Sequence, residues 1–125
     1  MKIAIDLDNT ITADKNSALF FRIITHLLIP ENDIIIISDR DEADRKSTEQ
    51  ELSVLGIRHN KLILTANKAG YILKNGITIF FENTDEAFLE IPQSVTVFKI
   101  REDGNFSFAK KKWITSRRNS ILIDE

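Results

Sequence analysis

Two acidic side chains, Asp6 and Asp8, follow an apolar run near the beginning of the sequence. The run from Ile3 to Leu7 predicts a β-strand, and side chains two residues apart share one face of a strand. The turn after this strand should therefore aim both carboxylates at one small volume. Two converging carboxylates repel each other unless they share a proton or a cation, and hard cations such as Mg²⁺ prefer oxygen ligands. The pattern favours a cation site over its alternative, a solvated acidic strand end.

A second group of polar residues follows the isoleucine run 34–37, which is typical of a parallel strand buried on both faces. Ser38 closes this run, and Arg40 comes two residues later. A hydroxyl at the end of a strand can donate a hydrogen bond to a phosphoryl oxygen, and a nearby guanidinium can neutralise its charge. The alternative for Ser38 is a plain turn. The alternative for Arg40 is an ion pair with one of the neighbouring acids Asp39, Asp41 and Glu42.

The stretch Asp6-Leu7-Asp8-Asn9-Thr10 resembles the Asp-x-Asp-x-Thr signature of the haloacid dehalogenase-like superfamily, whose members are mostly Mg²⁺-dependent phosphatases and phosphotransferases. Ser38, followed by Arg40, is similar to the second motif of that family. Lys68, near the start of the helix before the fourth strand, is similar to the third motif, a lysine that holds the carboxylate and the phosphoryl group by charge. The alternative for Lys68 is a role in surface solubility, and weaker candidates for its position are Lys61 and Lys74.

The resemblance changes at the end of the fourth strand, where the sequence reads Glu82-Asn83-Thr84-Asp85-Glu86. The family completes its Mg²⁺ site here with an acidic pair, or with one acid and another a few residues on. This chain has Asn83 where relatives with a paired motif have the liganding acid. An amide oxygen can bind Mg²⁺ but adds no charge, so Glu82 or Asp85 is expected to compensate. Asp85 also suits the first turn of a short helix.

The resemblance implies a Mg²⁺-dependent phosphomonoester hydrolase that acts through an aspartyl-phosphate. Asp6 would attack phosphorus, and Asp8 would donate a proton to the leaving oxygen and later accept one from water. With these two residues, Lys68 completes the expected catalytic group. The expected substrate-binding residues are Thr10, Ser38 and Arg40. The expected Mg²⁺ ligands are Asp6, Asp8, Glu82, Asn83 and Asp85.

The elements that must position these residues alternate between strand and helix through residue 90. Apolar runs predict four strands, and helical spacing predicts helices within residues 13–31, 41–55 and 68–73. This alternation indicates right-handed βαβ units and an α/β fold, a Rossmann-like three-layer sandwich with a mostly parallel sheet. Open α/β sheets bind ligands at the carboxyl ends of their strands. The four motif segments are therefore expected to converge on one site.

The C-terminal part is predicted to form a β-hairpin and a tail. The runs Val95–Ile100 and Phe106–Phe108 are typical of strands, and Asp103-Gly104 marks a turn between them. Residues 1–125 are thus expected to form a single domain with a core at 1–90 and the hairpin and tail at 91–125. Basic residues beside Trp113 are compatible with contact to nucleic acid, but a solvated edge is favoured. These residues are Lys110, Lys111, Lys112, Arg117 and Arg118.

Composition limits the class of protein. A chain of 125 residues has room for one core. It contains no cysteine, which excludes disulfides, zinc–thiolate sites and thiol nucleophiles and suits a reducing cytoplasm. A net charge of −2 argues against a general polyanion binder. No apolar run approaches the roughly 18 residues of a membrane span. A cytoplasmic location without membrane contact is expected.

The short connections bear on the substrate. One helix fills the segment between the first two strands, and no long insertion lies between Ser38 and Lys68. Relatives with cap domains carry them in these two places, so the chain resembles a capless member. An open site implies a large phosphorylated substrate, such as a nucleic-acid end or a phosphoprotein, or a cap from a neighbouring subunit. The alternative function, supported by Asn83, is a catalytically impaired domain that binds a phosphorylated ligand or a protein partner.

Overall fold

The structure, a computed structural model, describes residues 1–114. Its strands are β1 (Lys2–Asp6), β2 (Asp33–Ser38), β3 (Lys61–Leu64), β4 (Ile79–Glu82), β5 (Thr96–Lys99), β6 (Phe106–Ser107) and β7 (Lys112–Trp113). Its helices are α1 (Lys15–Leu28), α2 (Arg45–Leu55) and α3 (Lys68–Lys74). Arg117 and Arg118, which belong to the basic cluster of the sequence, lie outside the described residues.

Strand β1 lies at the centre of a five-stranded sheet with the order β3-β2-β1-β4-β5. All neighbouring strands of this sheet are parallel, and Ile3 pairs with Ile34 on one side and with Ile79 on the other. Parallel neighbours cannot be joined by a tight turn, so each needs a crossover segment. Helices α1, α2 and α3 supply the crossovers between β1, β2, β3 and β4. The predicted α/β fold with a mostly parallel sheet is confirmed.

The two faces of the sheet bury separate apolar cores, because successive side chains of a strand point to opposite faces. One core joins the sheet to α1 and α2, and the other joins it to α3. The first core includes Ile3, Ile5, Ile34, Ile36, Phe21 and Leu52. The second includes Ala4, Ile35, Ile37, Ile72 and Phe80. The isoleucine run of β2 therefore serves both cores, as expected for a strand covered on both sides.

Helix α1 begins after Asp14, whose side chain accepts a hydrogen bond from the Ser17 amide at 2.8 Å and so acts as the N-cap. Phe21 is buried against the sheet, whereas the outer apolar side chains of the helix are at least half exposed. These outer residues are Leu19, Phe20, Ile23 and Leu27. The apolar stripe of α1 is thus wider than the sheet surface that it covers.

The C-terminal part contains the predicted hairpin, but different strands form it. The run predicted as the first arm becomes β5, which pairs in parallel with β4, and the ring of Phe98 stacks on Phe81 with a centroid separation of 4.8 Å. The antiparallel hairpin consists of β6 and β7. The predicted pairing of Val95–Ile100 with Phe106–Phe108 was therefore wrong, because this run instead extends the parallel sheet, where Phe98 packs on Phe81.

The part of the chain that the structure describes contains no helix with both the length and the apolar character needed to cross a bilayer.

Candidate active site

The carboxyl ends of three adjacent strands bring the motif residues to one edge of the sheet. Asp6 ends β1, Ser38 ends β2 and Glu82 ends β4, and β1 lies between the other two. Lys68 begins α3, directly after the loop that follows β3. The strands are parallel, so all four residues lie at the same edge.

A buried group of three charges forms the centre of this edge. The Lys68 Nζ donates hydrogen bonds to Asp6 Oδ1 and to Glu82 Oε1, both at 2.8 Å. The side chains of Asp6 and Glu82 are 5% and 0% exposed, so neither carboxylate can rely on solvent for its counter-charge. One ammonium group therefore serves two buried carboxyl groups, and the three side chains carry a net negative charge whenever both carboxyls are ionised.

Burial decides the ionisation of Asp6. Loss of solvation, reinforced by the charge of Glu82, raises the pKa of Asp6 from 3.8 to about 7, although Lys68 and Thr10 act in the opposite direction. For Lys68, burial lowers the pKa, but the charges of Asp6 and Glu82 outweigh burial and raise it. Lys68 thus remains a cation, and Asp6 is divided between its neutral and ionised forms near pH 7.

The irregular turn after β1 directs Thr10 back toward Asp6. Asn9 has a left-handed backbone with φ of 59°, and its amide donates to the Thr12 hydroxyl at 3.0 Å. The buried Thr10 hydroxyl then lies 3.0 Å from Asp6 Oδ2 and 3.2 Å from Asn83 Oδ1. A hydroxyl has one hydrogen, so it cannot fully satisfy two acceptors at once. The oxygens of Asp6 and Asn83 therefore converge on one hydroxyl, and Asn83 Oδ1 has a second, longer contact at 3.5 Å with the Thr84 hydroxyl.

The side chain of Asp8 binds Arg40, whereas that of Asp6 binds Lys68. Arg40 holds both of its carboxylate oxygens, with Nε–Oδ2 at 3.0 Å and Nη2–Oδ1 at 2.7 Å. The Nη1 group of Arg40 donates to Thr48 and Glu51 of α2 at 3.1 and 2.9 Å. The hydrogen bonds to Asp8 and, to a smaller extent, to Glu51 raise the pKa of Arg40. Arg40 thus anchors Asp8 to α2.

Arg40 does not pair with the acids that are adjacent in sequence. Its carboxylate partners are Asp8 and Glu51, and Glu42 pairs instead with Arg45 at 2.7 Å. The Arg40 backbone amide donates to the buried Ser38 hydroxyl at 3.2 Å. Because that contact uses an oxygen lone pair, Ser38 keeps its own hydrogen for donation.

The end of β4 contains one fully engaged acid and one amide. Glu82 Oε1 binds Lys68, and Glu82 Oε2 accepts the backbone N–H groups of Asn83 and Thr84, both at 3.1 Å. Asp85 forms an ion pair with Lys99 of β5. Both residues expected to compensate for Asn83 are thus held by partners of their own.

The carboxylate that binds the Asn83 side chain was not predicted from the sequence. Asn83 Nδ2 donates to Glu102 Oε2 at 3.1 Å, and Glu102 lies in the loop after β5. The buried Asn105 ties this loop to β4, because its Nδ2 donates to the Asn83 backbone carbonyl at 2.8 Å. The one sequence feature that could have indicated Glu102 is its position as an acid shortly after a predicted strand. No sequence feature indicated that Thr48 and Glu51 would bind Arg40.

The donor atoms fit a hard cation better than a soft one. Within residues 1–114, His, Cys, Asp and Glu side chains form no group of three or more arranged to hold a metal ion. The converging oxygens are Asp6 Oδ2 and Asn83 Oδ1, which both lie within hydrogen-bond distance of the Thr10 hydroxyl. Mg²⁺ binds oxygen and commonly retains several waters, so it needs few protein ligands. Asp6 and Asn83 are therefore the residues whose oxygens could hold a hard cation such as Mg²⁺.

A cavity of about 210 Å³ opens beside this group. Its lining includes Lys68 and Thr84, together with the acids Asp39, Glu86 and Glu90. The cavity thus reaches Lys68, whereas Asp6 and Glu82 are not among its lining residues.

Comparisons with known proteins support the fold but supply no family. No family model matches the chain, and no curated protein matches it. Two solved structures that resemble it are chains of the "Pnkp1/Rnl/Hen1 complex" and of the "Pnkp1/Rnl/Hen1 RNA repair complex", at TM-scores of 0.62 and 0.61. Sequence identities are 13% and 14%, and each match covers 81% of this chain. The chain spans less than half of these neighbours, 46% and 42% of their lengths, and it shares their α/β fold.

Proposed function

We propose that this protein is a Mg²⁺-dependent phosphomonoester hydrolase of the haloacid dehalogenase-like superfamily. The observation that carries the proposal is Asp6, which ends the central strand, contacts Lys68 and is followed two residues later by Asp8 on a separate arginine anchor. Paired carboxylates with different surroundings suit different roles, one as nucleophile and one in proton transfer.

In the first step, an oxygen of Asp6 forms a bond to phosphorus while the bond to the leaving oxygen breaks. Asp8 gives that leaving oxygen a proton, and the phosphoryl group becomes an aspartyl-phosphate. Lys68 donates to Asp6 at 2.8 Å and is cationic, so it can also neutralise a phosphoryl oxygen beside Asp6. The Ser38 hydrogen supplies a second donor.

In the second step, Asp8 removes a proton from water as the water oxygen attacks phosphorus. The bond between phosphorus and Asp6 breaks, which releases phosphate and restores the carboxylate. The anchor of Asp8 on Arg40 keeps the same side chain in place for both proton transfers.

Asp6, the Asp8 backbone carbonyl and Asn83 are the groups that would hold Mg²⁺. When bound, Mg²⁺ supplies positive charge that offsets the carboxylate and phosphoryl charges. This role is compatible with the pKa of Asp6, which burial and the charge of Glu82 raise to about 7, so that the carboxyl is only partly ionised at neutral pH.

Phosphate release from a panel of phosphomonoesters tests the proposal. The panel includes an aryl phosphate, a sugar phosphate, a phosphopeptide and an oligonucleotide with a 3′-phosphate, each with Mg²⁺ and with chelator. The oligonucleotide belongs in the panel because the fold neighbours come from an RNA repair complex. We expect turnover that chelator abolishes and that Asp6→Asn reduces to below about one per cent, in line with loss of an essential nucleophile.

Asp33→Asn is the matched control, because Asp33 is exposed at the opposite end of β2. Turnover in Asp6→Asn above a few per cent would contradict the role of Asp6. Absence of turnover across the panel, together with phosphate-ester binding, would favour the alternative function, a domain that binds a phosphorylated ligand without hydrolysing it.

A further inference from the structure

The end of β4 has an amide where a second negative charge is expected. Asn83 is 5% exposed, and its amide faces two different environments. The oxygen Oδ1 lies near Thr10, which also contacts Asp6, and the nitrogen Nδ2 lies near Glu102. The orientation of this amide determines whether an oxygen or an N–H group faces Asp6.

Glu102 fixes that orientation. An ionised carboxylate only accepts hydrogen bonds, so the Asn83 nitrogen must face Glu102 and the oxygen must face Thr10 and Asp6. A charge-assisted bond at the nitrogen also polarises the amide and increases the negative charge on its oxygen. Glu102 therefore makes Asn83 a better cation ligand than an isolated amide.

The loop that carries Glu102 is fixed to the site by further hydrogen bonds. Glu102 Oε1 accepts the Gly104 amide at 2.6 Å, and the Glu102 amide donates to Asn105 Oδ1 at 2.9 Å. Asn105 is fully buried and also holds the backbone carbonyl of Asn83. Glu102 is thus positioned independently of its contact with the Asn83 side chain.

The other acids around Asn83 are already neutralised or shared. Lys68 is shared by Asp6 and Glu82, Arg40 holds Asp8, and Lys99 holds Asp85. Among residues 1–114, no lysine or arginine forms an ion pair with Glu102. Its carboxylate is therefore held by hydrogen bonds, with Oε1 on the Gly104 amide and Oε2 on the Asn83 side chain.

We propose that Glu102 is a positioning residue of the cation site, which orients Asn83 and supplies through it the negative charge absent from the end of β4. The inference rests on the proposed function, because it concerns the same Mg²⁺ site. It assigns part of that site to the segment after β5, outside the motifs that identified the other residues.

Divalent-cation binding by the substrate-free protein tests the role of Glu102. The probe is Mn²⁺, whose free concentration is measured by electron paramagnetic resonance. Glu102→Gln keeps the size of the side chain and removes its charge, and Asp103→Asn removes a neighbouring exposed charge as the control. We expect Glu102→Gln to weaken Mn²⁺ binding about tenfold or more, as is typical when the partner of a metal ligand is lost. Asp103→Asn should bind like the wild type.

The double variant Asn83→Asp/Glu102→Gln separates charge from folding. It moves the carboxylate to residue 83 and reverses the hydrogen bond, so the amide of the new side chain at 102 donates to the acid at 83. We expect it to recover most of the lost affinity. Melting in chelator monitors the fold of each variant. A loss in Glu102→Gln that the double variant does not recover would indicate a structural role of the loop and would overturn the inference.

The remaining outcomes distinguish this inference from the proposed function. Equal Mn²⁺ binding by the wild type and Glu102→Gln, with loss in Asp6→Ala, would overturn the role of Glu102 and leave the cation site intact. Absence of Mn²⁺ binding by the wild type would overturn both.

Discussion

At the scale of single residues, the ammonium group of Lys68 lies between two carboxylates that are almost completely removed from solvent. Its side chain is 11% exposed, and it contacts both Asp6 and Glu82 at 2.8 Å. Buried charges are tolerated when they are paired, and removal of one partner leaves an uncompensated charge in a poorly solvating interior. Lys68 is therefore expected to matter for folding as well as for the proposed chemistry.

Lys68→Met should lower the free energy of unfolding by about 3 kcal/mol, because it leaves two buried carboxylates without their cation. Urea denaturation at pH 8 in chelator measures this change. Lys74→Met, at the exposed end of the same helix, is the control and should change stability by less than about 0.5 kcal/mol. Equal effects of the two substitutions would contradict the importance of the buried group.

The raised pKa of Asp6 predicts a pH-dependent stability in the absence of metal. The folded protein holds the Asp6 proton up to about pH 7, whereas the unfolded chain releases it near pH 4. Between these values the folded state binds more protons, so the contribution of Asp6 to the free energy of unfolding falls as pH rises. Protonated Asp6 thus contributes its full stabilisation of the fold below about pH 4, and this contribution is lost as the pH rises through about 7.

Asp6→Asn removes this titration and should therefore stabilise the metal-free protein more at pH 8 than at pH 5. We expect the melting temperature of the variant, relative to wild type, to be higher by at least about 4 °C at pH 8 than at pH 5, equivalent to about 1 kcal/mol. Thermal melting in chelator measures it, with Asp33→Asn as the control for loss of one negative charge. The same difference at both pH values would show that Asp6 does not titrate in this range.

At the scale of elements, α2 serves the site through Arg40 although it contributes no motif residue. Thr48 and Glu51 hold one end of the guanidinium, and Asp8 receives the other end. The position of Asp8 thus depends on how α2 packs against the sheet, where Leu52 is fully buried. The β2–α2 connection therefore links the first core to the proposed proton-transfer group.

Arg40→Lys should lower kcat by about 10- to 100-fold with little change in KM, because lysine cannot hold both oxygens of Asp8 and a small displacement of a reacting group is costly. Steady-state kinetics on the best substrate of the panel measures both constants. Arg45→Lys, which changes a surface pair with Glu42, is the control. A rise in KM at unchanged kcat would show that Arg40 binds substrate rather than Asp8.

At the scale of the whole molecule, local patterns predicted the parallel sheet but not every strand partner. The isoleucine run of β2 and the apolar run of β1 indicate buried strands whatever lies beside them. The pairing of β5 with β4 involves the stacking of Phe98 on Phe81, which is a contact between residues distant in the sequence. The Asp103-Gly104 signal marks a real turn, but a turn does not specify which strands pair.

In the site, too, local sequence patterns predicted some residues, whereas contacts between distant residues could not be predicted. Asp6, Ser38 and Lys68 could be predicted because each occupies a fixed position relative to its own strand or helix. Glu102 could not, because its contact with Asn83 joins a loop to a strand end 19 residues away in the sequence. The partners of Arg40 were missed for a similar reason, since the acids adjacent in sequence were the obvious candidates.

The central position of β1 has a consequence for the order of synthesis. Ile3 pairs with Ile34 and also with Ile79, so β1 can gain its first neighbour when β2 has left the ribosome but must wait for β4 to gain the second. Asp6 and Lys68 meet Glu82 only at that late stage. Until then the nascent chain presents one unpaired edge of β1, and that edge is the surface that a chaperone would need to shield.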